Sequence, residues 1–577
     1  MKFMKLGTRP DTFHTQEATR TVISETPSDL IIKINNITYL IHKLQFPVVA
    51  KCGLLQRLCS NHSSSNNNGD EKIRIELHEI PGGGDGFELC AKFCYGITIN
   101  LSAHNFVSAF CAANFLGMNE STDEGNFISK LESFFISCIL CGWKDSILTL
   151  CSSVGVSEWC HNLGITSKCI DSIVHKILTP PPKVTWSYTY TRLGYNKKNH
   201  RSVPKDWWTE DIADLDIDLF RCIMLAISST CILPPPLIGE ALHVYTCRWL
   251  SDVVRDTSTS DNVEKNRQII ETIISLIPPD RESVSVSFSL RLHSLANVLG
   301  ASQVTKAEII RRCSLLLEEA TVKDLLFSNY VPKVDDNGQC LKVDDDVDLV
   351  VGVLESYLMM WRRNNNSDDD HVENEQLLRS IRKVGKLIDC YLQVVGRDRK
   401  MSLAKMICVA EALPDLARPS HDHIYKAINI FLKEHPDISK AEKKRLCRVL
   451  NCQKLSPELR SHAVKNERLP LRTVVQVLFF EQEMKGSKTS RQGVVEGTLE
   501  EDEWQDEMRS EPKERPGSGD PMRPWTQQKL RRSESTRSSR PNGKEDQKMK
   551  ASELIKKSIV ESRRKVVVHK GEERGKS

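Results

Sequence analysis

Cys138 and Cys141 are two residues apart, with Cys151 and the pair Cys160-His161 downstream. Tetrahedral zinc takes four soft ligands, usually from two closely spaced pairs on turns. Here the first pair lies inside the apolar run Phe135-Ile136-Ser137-Cys138-Ile139-Leu140-Cys141, and no second C-x-x-C follows. The spacing therefore reads as thiols packed in a buried helix, with a zinc enzyme as the opposing view. Cys447 and Cys452 read as core or helix-end residues. Pro81-Gly82-Gly83-Gly84-Asp85-Gly86 has the look of a phosphate cradle between a strand and a helix, but no Gly-Lys-Ser/Thr follows it. It reads as a plain turn. His421-Asp422-His423 holds dyad chemistry, yet neighbours at a helix start do not converge on one point, so solvated capping is expected. No G-x-S-x-G is present. No catalytic, cofactor or metal site is expected, and the chain reads as non-enzymatic.

Trp207-Trp208 beside Glu210 and Asp211 is an aromatic–acidic cluster, suited either to docking a partner or to anchoring a helical domain. Anchoring is favoured because large aromatics are usually buried. Tyr425 is a candidate phosphorylation site that also fits core packing. In Arg531-Arg532-Ser533-Glu534-Ser535, serines stand beside arginines. A basophilic kinase would read Ser533 and Ser535, and phosphoserine there would suit an Arg-lined 14-3-3 groove. An unmodified solubilising linker fits the same residues. Farther on, Ala551, Ile555, Ile559 and Val566 share a helical face, while Lys556, Lys557, Arg563, Arg564 and Lys565 crowd the others. Such a helix would lie on anionic lipid at about 1 kcal/mol per basic group. A coiled-coil end, a frayed helix and a nuclear signal remain open.

The elements holding these residues follow from periodicity. Leu30, Ile32 and Ile34 alternate with Ile31 and Lys33, and Asn35-Asn36 separates them from Ile37-Thr38-Tyr39, which predicts a hairpin. Ile73, Ile75 and Leu77 predict another strand. Leu54–Leu58 reads as helix, the Ser/Asn run 63–68 as a solvated loop. Phe87, Cys90, Ala91 and Cys94 share one helical face; Phe106, Ala109, Phe110 and Ala113 share another. Beyond residue 118 helices dominate. Ser456-Pro457 is an N-cap with proline at the first helical position, and Ser439-Lys440-Ala441-Glu442 is a capping box. Val384, Leu387, Ile388, Tyr391, Leu392 and Val395 form an apolar stripe, and Leu471, Val474, Val475 and Leu478 repeat it. Polar insertions at 335–346 and 362–376 read as mobile loops.

Charge separates these parts. The 577 residues carry 80 Lys and Arg against 76 Asp and Glu, a net of +4. Residues 521–577 alone hold 17 basic and 7 acidic groups, and residues 491–520 hold 4 and 10, so the first 490 are neutral. A neutral body argues against nucleic acid as partner, and places the positive excess in a polar segment expected to be disordered. The 19 Cys without an apolar leader fit reduced thiols in a cytoplasmic protein. The longest apolar stretch, 134–143, is too short to span a membrane.

The stretch Asp29-Leu30-Ile31-Ile32-Lys33-Ile34, Tyr39-Leu40-Ile41-His42-Lys43 and Leu54-Leu55, with Phe87 to Gly96, resembles the BTB/POZ domain. Pro204-Lys205-Asp206-Trp207-Trp208-Thr209-Glu210-Asp211, Leu215 to Phe220, Arg418-Pro419-Ser420-His421-Asp422, Leu446 to Ser456 and Asn466 to Gln482 are similar to the plant-specific non-phototropic-hypocotyl family. The resemblance covers roughly residues 28–482. It implies a BTB homo- or heterodimer acting as the substrate adaptor of a cullin–RING ubiquitin ligase, in phototropin blue-light signalling, peripheral at the plasma membrane. A membrane-peripheral scaffold binding a phototropin-type kinase without ubiquitin transfer is the alternative. One departure stands out: the hydrophobic-x-Glu triplet of many cullin-binding BTB domains has no clean equivalent around Leu58-Cys59-Ser60-Asn61.

The expected fold class is an α+β BTB/POZ domain, then a large all-α domain and a disordered C-terminal tail. The expected organisation is a polar leader (1–27), a BTB/POZ domain (28–118), a helical connector (119–203), an all-helical family domain (204–482) and a disordered acidic-then-basic tail (483–577).

Overall fold

The computed structural model describes residues 2–42, 48–63, 72–192, 202–250, 260–326, 343–365 and 371–488. Among these residues, seven short strands lie in the N-terminal region: β1 (Met4–Leu6), β2 (Phe13–Gln16), β3 (Thr19–Val22), β4 (Leu30–Ile34), β5 (Ile37–Ile41), β6 (Ile73–Glu76) and β7 (Ile99–Leu101). β4 and β5 form the antiparallel hairpin, and Asn35 takes the positive φ of 50° that its turn requires. The five-stranded sheet has the order β2-β3-β5-β4-β6, with β3–β5 and β4–β6 parallel. A separate antiparallel pair joins β1 to β7.

Residues 1–27 are therefore not merely a polar leader. Strands of three and four residues are too short to show a hydrophobic alternation. They are held by backbone ladders, β1 to β7 and β3 to β5, together with a few apolar side chains that meet the core: Met4, Leu6, Phe13 and Val22.

Helices α1 (Val48–Lys51), α2 (Gly53–Ser63), α3 (Gly83–Cys94) and α4 (Phe106–Leu116) accompany the strands. Tyr39 of β5 meets Phe87 of α3 edge-to-face at 4.8 Å, and α3 packs along α4. Of the glycine run only Pro81-Gly82 is a turn; Gly83, Gly84 and Gly86 open α3 itself and permit this close approach. Gly82 has φ 78°, and a Cβ on Gly86 would stand 2.8 Å from the Ser108 carbonyl oxygen.

A helical series continues with α5 (Phe127–Phe134), α6 (Trp143–Ser153), α7 (Ser157–Asn162), α8 (Ile165–Ile177), α9 (Thr209–Ile212), α10 (Ile217–Ser228) and α11 (Pro235–Leu250). It runs on through α12 (Ser260–Leu276), α13 (Val286–Val298), α14 (Gln303–Leu316), α15 (Val343–Asn365), α16 (His371–Val395) and α17 (Leu403–Ala412). α18 (Asp422–Glu434), α19 (Lys440–Cys447), α20 (Pro457–Val464) and α21 (Leu471–Lys488) complete it. Ser439 and Glu442 form the expected capping box, and Ser456 Oγ accepts the Leu459 amide ahead of Pro457. The described residues belong to one compact unit, Met1–Gln492. Among them, no helix is long and apolar enough to cross a membrane.

Three expectations change. The polar insertions are partly helical: α15 starts at Val343 and runs to Asn365, and α16 starts at His371. The exposed Arg362, Arg363, Asn364, Glu375 and Gln376 give those helix ends the composition of a loop. Phe135–Ile139 is a π-helical turn that buries Phe135 and Ile139 but exposes Ile136, leaving Cys138 half-buried and Cys141 exposed. On α21 most of the apolar stripe faces outward: Leu471, Val475 and Leu478 are exposed and Val474 is half-buried, while Thr473 and Val477 turn inward.

Candidate functional site

Trp207 and Trp208 are fully buried and form the joint between the N-terminal helices and the helical body. Around Trp207 stand Trp143 of α6 at 4.6 Å and Trp186 and Tyr188 each at 5.6 Å between ring centroids. The acidic residues finish the joint. Asp211 is buried and accepts hydrogen bonds from Trp143 Nε1 at 2.6 Å and the Thr189 amide at 3.1 Å, with Lys144 Nζ 3.7 Å away. Glu210 accepts the Thr191 amide at 2.9 Å. Asp206 holds Arg192 at 2.9 Å and accepts from Tyr190 Oη at 3.2 Å; burial first, then the Asp206 charge, pushes the Tyr190 hydroxyl up to about 12. Arg192 also reaches Glu240 at 2.7 Å.

Residues 184–192 thus form an extended strap, with Trp186 and Tyr188 on Trp207 and the Thr189 and Thr191 amides on carboxylates. The sequence reading took Trp207, Trp208, Glu210 and Asp211 as an anchor but missed the strap that receives them. A signal existed: Trp186-Ser187-Tyr188-Thr189-Tyr190-Thr191-Arg192 alternates aromatic and polar residues with the period of an extended chain.

A second joint gathers the family-like blocks of the C-terminal half. Arg418 is buried and binds Asp389 of α16 through Nε and Nη2 at 3.0 and 2.8 Å, with Nη1 on the Ala410 carbonyl. Burial raises the Asp389 carboxyl above its usual range despite Arg418. His421 is buried, not a solvated cap, and its Nδ1 accepts the Asn451 amide at 3.0 Å. Burial, then the charges of Arg418 and Lys454, bring its imidazole down to about 4. Asp422 accepts the Ser456 amide at 2.9 Å, and Lys454 donates to Asp415 at 2.6 Å and to the Arg418 carbonyl at 3.0 Å. His423 turns away, with Nδ1 3.9 Å from Cys390.

Tyr425 lies at the centre of this joint. It is 1% exposed, its hydroxyl lies 2.7 Å from His462 Nδ1, and it accepts from Asn466 Nδ2 at 3.2 Å. This burial and these partners are those of core packing, the second of the two roles expected for Tyr425. Ser533, Ser535, Lys556, Lys557, Arg563, Arg564 and Lys565 lie outside the described residues.

His42, picked out by the BTB-like pattern, is also a fastener. Its amide donates to Tyr95 Oη at 3.0 Å, and its ring lies 3.1 Å from that oxygen through Nδ1 and 2.9 Å from the Thr26 carbonyl through Nε2. Lys43 lies outside the described residues. Among the described residues, no group of three or more His, Cys, Asp or Glu side chains is placed to hold a metal. His161 is exposed and Cys160 buried.

These joints define a class: a strand-bearing N-terminal module continued by a helical body, fastened through buried aromatic and ionic contacts. Residues 206–459 match the NPH3 family. A BTB/POZ domain-containing protein of Arabidopsis thaliana is 58% identical over 495 residues, covering 85% of this chain and 86% of the relative. The Phototropic-responsive NPH3 family protein NPY2 of the same plant is 38% identical over 502 residues, covering 84% and 77%. Its Root phototropism protein 3 is 32% identical over 589 residues, covering 82% and 76%. The chain belongs to the NPH3 family. No solved structure matches it.

Proposed function

We propose that this protein is a non-enzymatic signalling adaptor of the phototropic-response type. Its N-terminal module is a BTB/POZ domain that pairs with a second copy and engages the cullin of a RING ubiquitin ligase, and its helical body recruits the target. The observation that carries this reading is that the likeness to the 58%-identical BTB/POZ protein runs through 85% of the chain and 86% of that relative. The joint at Trp207 supports it, because an adaptor that presents a target must hold its two binding ends in fixed relation. The test is a pull-down of purified cullin by the full-length protein. Retention at micromolar concentration is expected, and failure to bind removes the ubiquitin-ligase reading.

A second reading, a membrane-peripheral scaffold for a phototropin-type kinase, is favoured by the net +10 of residues 521–577. Binding to phosphatidylserine vesicles is then expected to fall with salt. It should be lost when Lys556, Lys557, Arg563, Arg564 and Lys565 are neutralised. Binding that persists in that variant refutes the lipid role. Phosphorylation of Ser533 or Ser535 would create the 14-3-3 site.

A further inference from the structure

α11 carries Glu240, His243 and Cys247 at successive turns of one helical side. His243 Nε2 lies 3.6 Å from Cys247 Sγ, and its Nδ1 lies 4.0 Å from Glu240 Oε1. A second helix completes the cluster: Arg291 of α13 directs Nη1 at the same sulfur from 3.7 Å. The His243 ring also packs edge-to-face on Phe288 of α13 at 5.1 Å, which fixes its plane. Cys247 itself is half-buried. The sulfur thus faces an imidazole and a guanidinium, while a carboxylate sits behind the imidazole. That is the order of charges that favours a thiolate.

Burial by itself would push the Cys247 thiol up, but the bond to His243, the His243 charge and Arg291 outweigh it and bring it below its usual value. The bond to Cys247, opposed by burial and aided by Glu240, carries the His243 imidazole above its ordinary value.

We propose that Cys247 is a reactive thiolate and a site of reversible oxidation by small hydroperoxides. The Cys247 sulfur attacks one oxygen of hydrogen peroxide; an S–O bond forms and the O–O bond breaks. Sulfur gives up two electrons, the peroxide is reduced, and the departing hydroxide takes a proton from His243 and leaves as water. The product is the sulfenic acid of Cys247 with neutral His243; one small-molecule thiol condenses with it to a mixed disulfide and water, and a second displaces Cys247 as the reduced thiol, the two small thiols leaving joined as a disulfide. Oxidation replaces the thiolate–guanidinium contact between α11 and α13 by a neutral one.

The protein supplies its own references. Cys222, Cys231 and Cys408 are more exposed than Cys247, so accessibility alone ranks Cys247 behind them. The experiment treats the full-length protein with substoichiometric hydrogen peroxide at pH 7, traps sulfenic acid with a dimedone probe, and maps the label by peptide mass spectrometry. Cys247 should label on the order of tenfold faster than the three references. Its labelling should also rise with pH at a lower midpoint in the unaltered protein than in the Arg291→Met variant. His243→Gln and, separately, Arg291→Met should each slow Cys247 severalfold and leave Cys222 unchanged, with an unaltered thermal midpoint confirming the fold. Labelling of Cys247 no faster than the references overturns the proposal, a comparison that needs no variant. A Cys247 rate unchanged in a folded His243→Gln protein overturns it as well.

Discussion

Tyr425 and His421 bind the C-terminal joint in different ways, and each can be tested singly. Tyr425→Phe keeps the ring in place but leaves His462 Nδ1 and Asn466 Nδ2 without the hydroxyl between them. Loss of about 1–2 kcal/mol is expected, read as a lower urea midpoint at unchanged slope. His421 bears on pH. Its folded-state value is about 4, below the ordinary 6.5, because burial, Arg418 and Lys454 oppose the imidazolium. A depressed value means the unfolded chain binds the proton first. The contribution of neutral His421 is therefore complete above pH 6.5 and is lost as pH falls from 6.5 towards 4. His421→Asn keeps an acceptor for the Asn451 amide and does not titrate. Its thermal midpoint should fall less between pH 7 and pH 5 than that of the unaltered protein, and an equal fall would show that His421 is not responsible.

At the scale of elements, helix faces and close approaches decide the packing. α16 buries Val384, Ile388, Tyr391, Leu392 and Val395, as its stripe indicates. Between them Gly385 lets the helix backbone press on the segment at Ala417, where an added Cβ would stand 2.4 Å from the carbonyl oxygen. Gly385→Ala gains about 1 kcal/mol of helix propensity. Against that, overpacking a backbone contact costs about 1–3 kcal/mol or more. At 2.4 Å the second effect should win, giving a net loss of stability by chemical denaturation. An increase would mean that α16 can move off Ala417. α21 behaves differently, since most of the same apolar spacing faces outward there. Periodicity establishes that residues share a face, and the neighbouring elements establish which way that face points.

For the molecule as a whole, the joint at Trp207 should make the strand-bearing module and the helical body unfold together. Asp211→Ala strands the Trp143 indole N–H and the Thr189 amide in a buried site and removes a partner of Lys144. Two lost bonds with unsatisfied donors are worth roughly 2–4 kcal/mol. The expected result is one calorimetric transition shifted down as a unit. A separate early transition would show the two parts to be energetically independent.

Much of this was legible in the sequence: the β4–β5 hairpin at Asn35-Asn36, the caps at Ser439 and Ser456, the stripe on α16 and the family-like blocks. All of these rest on local spacing, which backbone geometry ties directly to a turn, a cap or a face. What the blocks do to one another was not legible. Arg418 on Asp389, His421 on the Asn451 amide, Asp422 on the Ser456 amide and Asn466 on Tyr425 are contacts across roughly 30 to 40 residues of chain. The strap 184–192 reaches Asp206, Glu210 and Asp211 in the same way, and the strands at 4–22 exist through partners that follow them in the chain. By itself the sequence determined the family, the charge layout and the local elements. Only the tertiary structure decided that His421 and Tyr425 are fasteners, that most of the α21 stripe faces outward, and that Cys247 meets both a histidine and an arginine. The physical reason is that burial and charge environment are properties of the assembled neighbourhood, and separate segments of chain contribute to each one.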